Sequence, residues 1–272
     1  MKFYKSRGQH ILRNRRIAER IVSYADVRES DTVLEVGCGT GVLTEKLLER
    51  AGKVVGIEID RRFVELLGKK FGEQIDAGKL EVVEGDALKV EFPHFTKFVS
   101  NIPYSISSPL TFKLLKHDFE SAVVMYQKEF AERLVARKGK NYGRISVIVR
   151  AYATPEILEI VSRKNFHPPP KVDSAVVRFL PEPEIEVRDV NAFSDFVTAC
   201  FSMRRKKLSK AFRLLEKRGF IVPEEIVRKY GDKRAEELEP ELYAELFETI
   251  CSKPASQKTE NPAKFCDKKI YM

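Results

Sequence analysis

The residues best suited to chemistry in this chain are Asn101, Ile102, Pro103 and Tyr104, in the stretch NIPYSISSPL. An Asn side chain offers an acceptor oxygen. The Ile102 carbonyl offers a second acceptor, on a turn that Pro103 stiffens. Tyr104 adds a face on which a planar base can stack. Such a set suits an exocyclic amine like that of adenine. That nitrogen is a poor nucleophile because its lone pair is delocalised into the ring. Two acceptors on its N–H groups would pull it toward a tetrahedral geometry and free the pair. Ser108 and Pro109 read as the N-cap and first residue of the helix that follows.

A second constellation lies upstream. VLEVGCGTGVLTEKL (33–47) reads as a strand, a glycine-rich turn and a helix, with Gly37, Gly39 and Gly41 allowing close approach of a ligand to the backbone. A dinucleotide site would have glycines at 37, 39 and 42, but residue 42 is Val. With Glu35 inside the strand end, the G-x-G-x-G spacing resembles the first motif of S-adenosylmethionine-dependent methyltransferases. Glu58, ending the next strand in GIEID, can accept both ribose hydroxyls of such a cofactor. Asp86, in VVEGDAL, can accept from its adenine amine. The chemistry would be in-line displacement of a sulfonium methyl by the amine, catalysed by positioning and the two acceptors. No strong base is needed, because the proton becomes acidic only as the bond forms. A base inside a duplex cannot reach such a pocket, so it must be flipped or single-stranded.

The elements that must hold these residues alternate. TVLEV (32–36), KVVGIEI (53–59), LEVVEG (80–85), KFVSNI (97–102) and SAVVMYQ (121–127) read as strands, with helical patterns such as 43–51 and 61–71 between them. This alternation predicts βαβ units and a parallel sheet, whose strand C-termini are where ligands bind. EILEIV (156–161) and SAVVRFL (174–180) are further strands, hairpin-like around HPPPKV, while RISVIVRAY (144–152) suits helix or strand. After the break PEPEIEV (181–187) the patterns are helical. The expected organisation is an α/β domain over 1–183, a small all-α domain over 184–250, and a polar, mobile tail over 251–272.

A formal charge of +9 favours a polyanionic partner. The charge concentrates in MRRKKLSKAFRLLEKR (203–218). There Leu208, Ala211, Phe212 and Leu215 share one helical face, and Arg204, Arg205, Lys206, Lys207 and Lys210 are candidates to grip RNA phosphates. The cysteines, Cys38, Cys200, Cys251 and Cys266, lie too far apart in sequence for a zinc or redox motif; no metal is expected, and a reducing cytosol is. No apolar run approaches the ~20 residues of a membrane span. Charged residues make up 33%, above the ~25% of typical domains, which suggests a thermophilic source.

GQHIL (8–12), EVGCGTG, NIPYSISSPL and FHPPPKVDSAVVR (166–178) together resemble the ribosomal RNA adenine dimethylases, most closely the small-subunit branch. The resemblance implies a Rossmann-like sheet of seven strands, the last antiparallel, with 144–152 helical. It implies dimethylation of two adjacent adenosines in a hairpin near the 3′ end of small-subunit rRNA, by a cytoplasmic monomer acting on a pre-ribosomal particle. By position it implies His10, Leu12, Gly37, Glu58, Asp86 and Asn101 as cofactor residues, with Phe166 stacking on the target base opposite Tyr104. His10 stands where the family commonly has Asn. Three alternatives are the large-subunit, antibiotic-resistance branch, the related mitochondrial transcription factors, and an RNA-binding assembly factor without catalysis.

Overall fold

The computed structural model describes residues 10–251, so the tail expected to be mobile lies, beyond Cys251, outside the described residues. Two compact units are present. One is the chain up to Ala136 with Tyr152–Glu184; the other is Arg137–Ala151 with the chain from Ile185.

The first unit contains all nine strands found among the described residues: β1 (Ile11–Leu12), β2 (Thr32–Val36), β3 (Lys53–Glu58), β4 (Leu80–Glu84), β5 (Lys97–Asn101), β6 (Ser121–Gln127), β7 (Thr154–Val161), β8 (Phe166–His167) and β9 (Ser174–Leu180). Seven make one sheet in the order β4-β3-β2-β5-β6-β9-β7. The first five run parallel. β9, last in the chain, inserts antiparallel between β6 and β7. Its helices are α1 (Arg15–Tyr24), α2 (Val42–Leu48), α3 (Arg61–Lys70), α4 (Gly72–Asp76), α5 (Ser107–Leu114) and α6 (Lys128–Val135). The central strands are apolar along their length because both faces are covered: Val33, Leu34, Val54, Phe98, Val99, Val123 and Val124 are all fully buried. The strand order reverses beside β2, which has β3 on one side and β5 on the other. That reversal opens a crevice at the strand C-termini. β1 and β8 pair separately as a short antiparallel ribbon.

The helix after Asn101 starts differently from its sequence signals. Tyr104–Ile106 form a 3-10 turn that runs directly into α5 at Ser107. Ser108 and Pro109 are therefore its second and third residues, not its cap and first. The Ser107 hydroxyl donates to the Tyr104 carbonyl at 3.0 Å and braces the junction. Pro109 is tolerated because first-turn N–H groups have no helical acceptor.

The second unit holds α7 (Arg144–Ile148), α8 (Val190–Ser202), α9 (Leu208–Lys217), α10 (Glu224–Tyr230) and α11 (Pro240–Cys251). The segment 137–151, assigned by the linear division at 183 to the first domain, belongs to this unit. Ile145, Val147, Ile148 and Val149 are all buried, and α7 packs against α8 and α11. Leu208, Ala211, Phe212 and Leu215 form the buried face of α9. Arg204, Arg205, Lys206 and Lys207 precede that helix and are not part of it. The Leu208 N–H donates to the Lys233 carbonyl at 2.7 Å and Lys207 bridges to Arg234, which holds the stretch before Leu208 in a turn. Among the described residues no helix is long and apolar enough to cross a membrane.

At the end of the sheet away from the crevice, Lys97 and Asp31 form an ion pair at 3.2 Å with side chains only 6% and 4% exposed. Burial raises the Asp31 carboxyl pKa, but the Arg28 N–H, the Thr96 hydroxyl and Lys97 outweigh it and hold it below the ordinary value. Removing one partner of a buried pair strands the other. Lys97→Ala should therefore cost about 3–5 kcal/mol, read from the urea midpoint. A loss no larger than the ~0.5 kcal/mol of a surface change would show that the pair carries no weight in the fold.

Candidate active site

A cavity of about 330 Å³ opens in the first unit where the strands end. Gly37 and Gly39 form its floor, with φ of +78° and +55°, a region L side chains avoid. A side chain would be crowded as well. A Cβ on Gly37 would stand 3.2 Å from the Pro103 ring, and one on Gly39 would stand 3.0 Å from Ile11. The strands on either side are tied together by Ser100, which is fully buried. Its hydroxyl donates to the Val36 carbonyl at 2.5 Å and accepts from the Val36 N–H at 3.2 Å.

Glu58 faces this cavity. Its two oxygens accept from the Gly39 and Asp60 N–H groups, both at 2.9 Å. Burial raises its pKa, opposed by those bonds. Each oxygen retains a lone pair for a ligand hydroxyl. Asp86 also lines the cavity, in a turn closed by the Leu88 N–H donating to its side chain at 3.0 Å. Lys113 on α5 fixes that loop by donating to the carbonyls of Ala87 and Val90.

Asn101 directs its Nδ2 to the His10 carbonyl at 3.5 Å, which leaves Oδ1 as an acceptor. Among the described residues no hydrogen bond ends on the Ile102 carbonyl. Tyr104 is held at both ends. Its hydroxyl lies 2.6 Å from that of Ser174 at the start of β9, and its ring lies 5.6 Å from the His10 ring. Burial raises the Tyr104 pKa, so it stays a neutral phenol. His10 Nδ1 donates to the Pro168 carbonyl at 2.8 Å.

His10, Gly37, Gly39, Glu58, Asp86, Asn101, Ile102 and Tyr104 thus meet around one cavity. Two expected site residues do not. Leu12 is 3% and Phe166 4% exposed, and both belong to the apolar core. They are partners across the β1–β8 ribbon, whose inward face they form, so Phe166 does not lie opposite Tyr104 across the cavity. The chain instead offers Ile59, a large apolar residue 52% exposed beside Glu58 on the cavity wall. Sequence reading passed over it as part of a strand. Ser174, the anchor of Tyr104, was likewise missed. Its signal was a lone hydroxyl opening a strand, SAVVRFL, that is apolar apart from Arg178.

Glu35 lies outside the lining, 1% exposed. It accepts from the Thr44 hydroxyl at 2.6 Å and so clamps α2 onto β2 behind the glycine turn. Burial pushes its carboxyl up to about 7 from an ordinary 4.5. Between those values the folded chain keeps a proton that the unfolded chain has lost, so stability falls as pH rises through this window, by on the order of 3 kcal/mol. Glu35→Gln should flatten that fall when urea midpoints are compared from about pH 5 to pH 8. An equally steep fall in the variant would mean the dependence arises elsewhere.

A family model described as ribosomal RNA adenine dimethylase matches residues 1–252. A protein of Pyrococcus furiosus named as a probable ribosomal RNA small subunit methyltransferase A is 49% identical over 207 residues, covering 76% of this chain and 74% of its own. The crystal structure of a dimethyladenosine transferase from Plasmodium falciparum superposes with a TM-score of 0.74 at 36% identity, covering 87% of this chain and 96% of that one. That of the 23S rRNA methyltransferase ErmE gives 0.69 at 31% identity, covering 89% and 99%.

Proposed function

This chain belongs to the ribosomal RNA adenine dimethylase family, and from that premise we propose that it methylates the N6 amines of two adjacent adenosines in a hairpin near the 3′ end of small-subunit rRNA. The methyl donor is S-adenosylmethionine, and the substrate is a pre-ribosomal particle in the cytoplasm, met by a monomer. One observation carries the reading: the glycine turn and the Asn-Ile-Pro-Tyr turn share a wall, Pro103 against Gly37. Nucleoside-binding groups and amine-gripping groups therefore face one cavity. The greater identity to the relative named for the small subunit, 49% against 31% for ErmE, favours the small-subunit substrate.

The donor set suits the cofactor. Glu58 has lone pairs for a ribose diol, Ile59 offers an apolar face for a base, and Asp86 can accept from an adenine amine. Gly37 and Gly39 admit a ligand where a Cβ would intrude. When bound, the cofactor supplies an electrophilic methyl. The chain's own residues do the rest. Asn101 Oδ1 and the Ile102 carbonyl accept the two N–H groups of the target amine and free its lone pair. Tyr104 stacks on the base, its ring kept in place by Ser174. In the second unit Arg205, Lys206 and Lys210 are exposed and suit contact with RNA phosphates. Arg204 is paired with Glu236 at 2.6 Å and Lys207 with Asp232 at 2.7 Å. The second pair is solvent-exposed, so little is lost when Lys207 exchanges Asp232 for a phosphate.

The direct test is mass-spectrometric mapping of methylated adenosines after incubation with unmethylated small subunits and labelled S-adenosylmethionine. Label at other positions of the small-subunit rRNA only, or no label, would refute the reading. Asn101→Ala should abolish transfer while leaving RNA affinity intact; near-normal turnover would remove the amine-gripping role. Glu58→Ala should weaken cofactor binding by about 1–3 kcal/mol, measured by calorimetry, with RNA binding unchanged. Replacing Arg205, Lys206 and Lys210 by Ala should flatten the salt dependence of subunit binding by about 2 in log–log slope. An unaltered slope would mean that these residues do not touch RNA.

A further inference from the structure

The β1–β8 ribbon and its flanks gather exposed cations, most of which their surroundings do not neutralise. Next to the paired strands, the Arg13 N–H donates to the Asn165 carbonyl at 2.9 Å, and the Asn14 amide donates to the Asn165 side chain at 2.9 Å. These bonds hold the Arg13 backbone against Asn165, next to Arg163 and Lys164 in the chain, with Arg15 and Arg16 following at the start of α1. The Arg163 guanidinium donates to the Lys171 carbonyl at 3.1 Å and brings in Lys171. All six cations are exposed. The one acid in these two segments, Asp173, is engaged by the Arg163 N–H at 2.9 Å. Arg15 reaches Glu45 at 3.3 Å. Among the described residues no ion pair involves Arg13, Arg16, Arg163, Lys164 or Lys171.

Elsewhere on this unit neutralisation is common. Arg20 pairs with Glu159 at 2.5 Å, Lys53 with Glu81 at 2.8 Å, Lys70 with Glu45 at 2.9 Å and Arg178 with Glu156 at 2.7 Å. The ribbon departs from that pattern at the edge of the cavity. His10, which leads into β1, and Ile11, its first residue, line the cavity. His10 bonds to Pro168, just past β8, and its carbonyl accepts from Asn101. A group held on the ribbon is therefore held in register with the Asn-Ile-Pro-Tyr turn.

An adenosine extruded into this cavity leaves its flanking phosphates at the mouth, where they need cations. We propose that the β1–β8 ribbon binds the sugar–phosphate backbone on the flank of the target adenosine, a role that rests on the RNA-methylating function above. Such contacts fix the strand without reading its sequence. They act on a few nucleotides beside the base.

The test combines Arg13→Ala, Lys164→Ala and Lys171→Ala in the full chain. The probes are unmethylated small subunits and a hairpin RNA with two adjacent loop adenosines. Loss of three contacts to single-stranded RNA should reduce the log–log salt slope of hairpin binding by about 2, and raise the KM for subunits about tenfold or more at moderate salt. Calorimetric affinity for S-adenosylmethionine and kcat should stay near those of the parent. The charge-preserving combination Arg13→Lys, Lys164→Arg and Lys171→Arg should restore the slope. An unchanged slope and KM in the alanine variant would overturn the ribbon's role, as would failure of the charge-preserving variant to restore them. A parent chain that transfers no methyl group to RNA would instead overturn the functional reading, while the hairpin salt slope would still report on the ribbon.

Discussion

The approach of the Pro103 ring to Gly37 is the contact on which the rest of the site depends. Two turns that leave neighbouring parallel strands are brought so close that a Cβ on Gly37 would stand 3.2 Å from Pro103. Neither partner has a flexible side chain with which to relax. Ser100, bonded through its hydroxyl to both backbone groups of Val36, fixes the strands one step earlier. Methyl transfer by displacement needs reacting atoms ~3–3.5 Å apart and in line. A chain that works by positioning needs a rigid backbone at such a distance, and the close approach of these two turns gives the cavity a wall that cannot relax.

Two buried acids near the contact have different work because they differ in what surrounds them. Glu35 is sealed behind the turn, and its Thr44 bond secures the helix. Glu58 faces the cavity and is held by two backbone N–H groups. Burial raises both pKa values. Only Glu58 has lone pairs open toward the cavity, so only Glu58 is available to a ligand.

Tyr104 depends on the unusual edge of the sheet. The insertion of β9 between β6 and β7 places Ser174 within 2.6 Å of the Tyr104 hydroxyl, and the segment before β1 supplies His10 to its ring. These partners are 70 or more residues from Tyr104 in the chain. The same convergence positions the unneutralised cations of the ribbon. The cavity-facing ring of Tyr104 and the exposed cations of the ribbon thus arise from one packing arrangement.

The sequence by itself determined the alternating strands, the glycine turn with Glu58 and Asp86 at successive strand ends, and the acceptor-rich Asn101 turn. Each is a local pattern, fixed by side-chain periodicity, glycine permissiveness and proline stiffness within a few residues. The buried face of α9 was legible for the same reason, since i, i+3, i+4 spacing is local. What lay beyond it depended on distant partners. RISVIVRAY carries no polar face to orient it, so its place among helices of the second unit was decided by α8 and α11. MRRKK has the composition of a helix, but Leu208 bonds to Lys233 and keeps the preceding residues out of it. Phe166 went to the core because pairing of β8 with β1 turned its side chain inward, and no local spacing records that pairing. Ser174 acquired a role only when β9 came alongside β6. Tertiary structure decided these points because each one turns on which distant surface a side chain or backbone group finally meets.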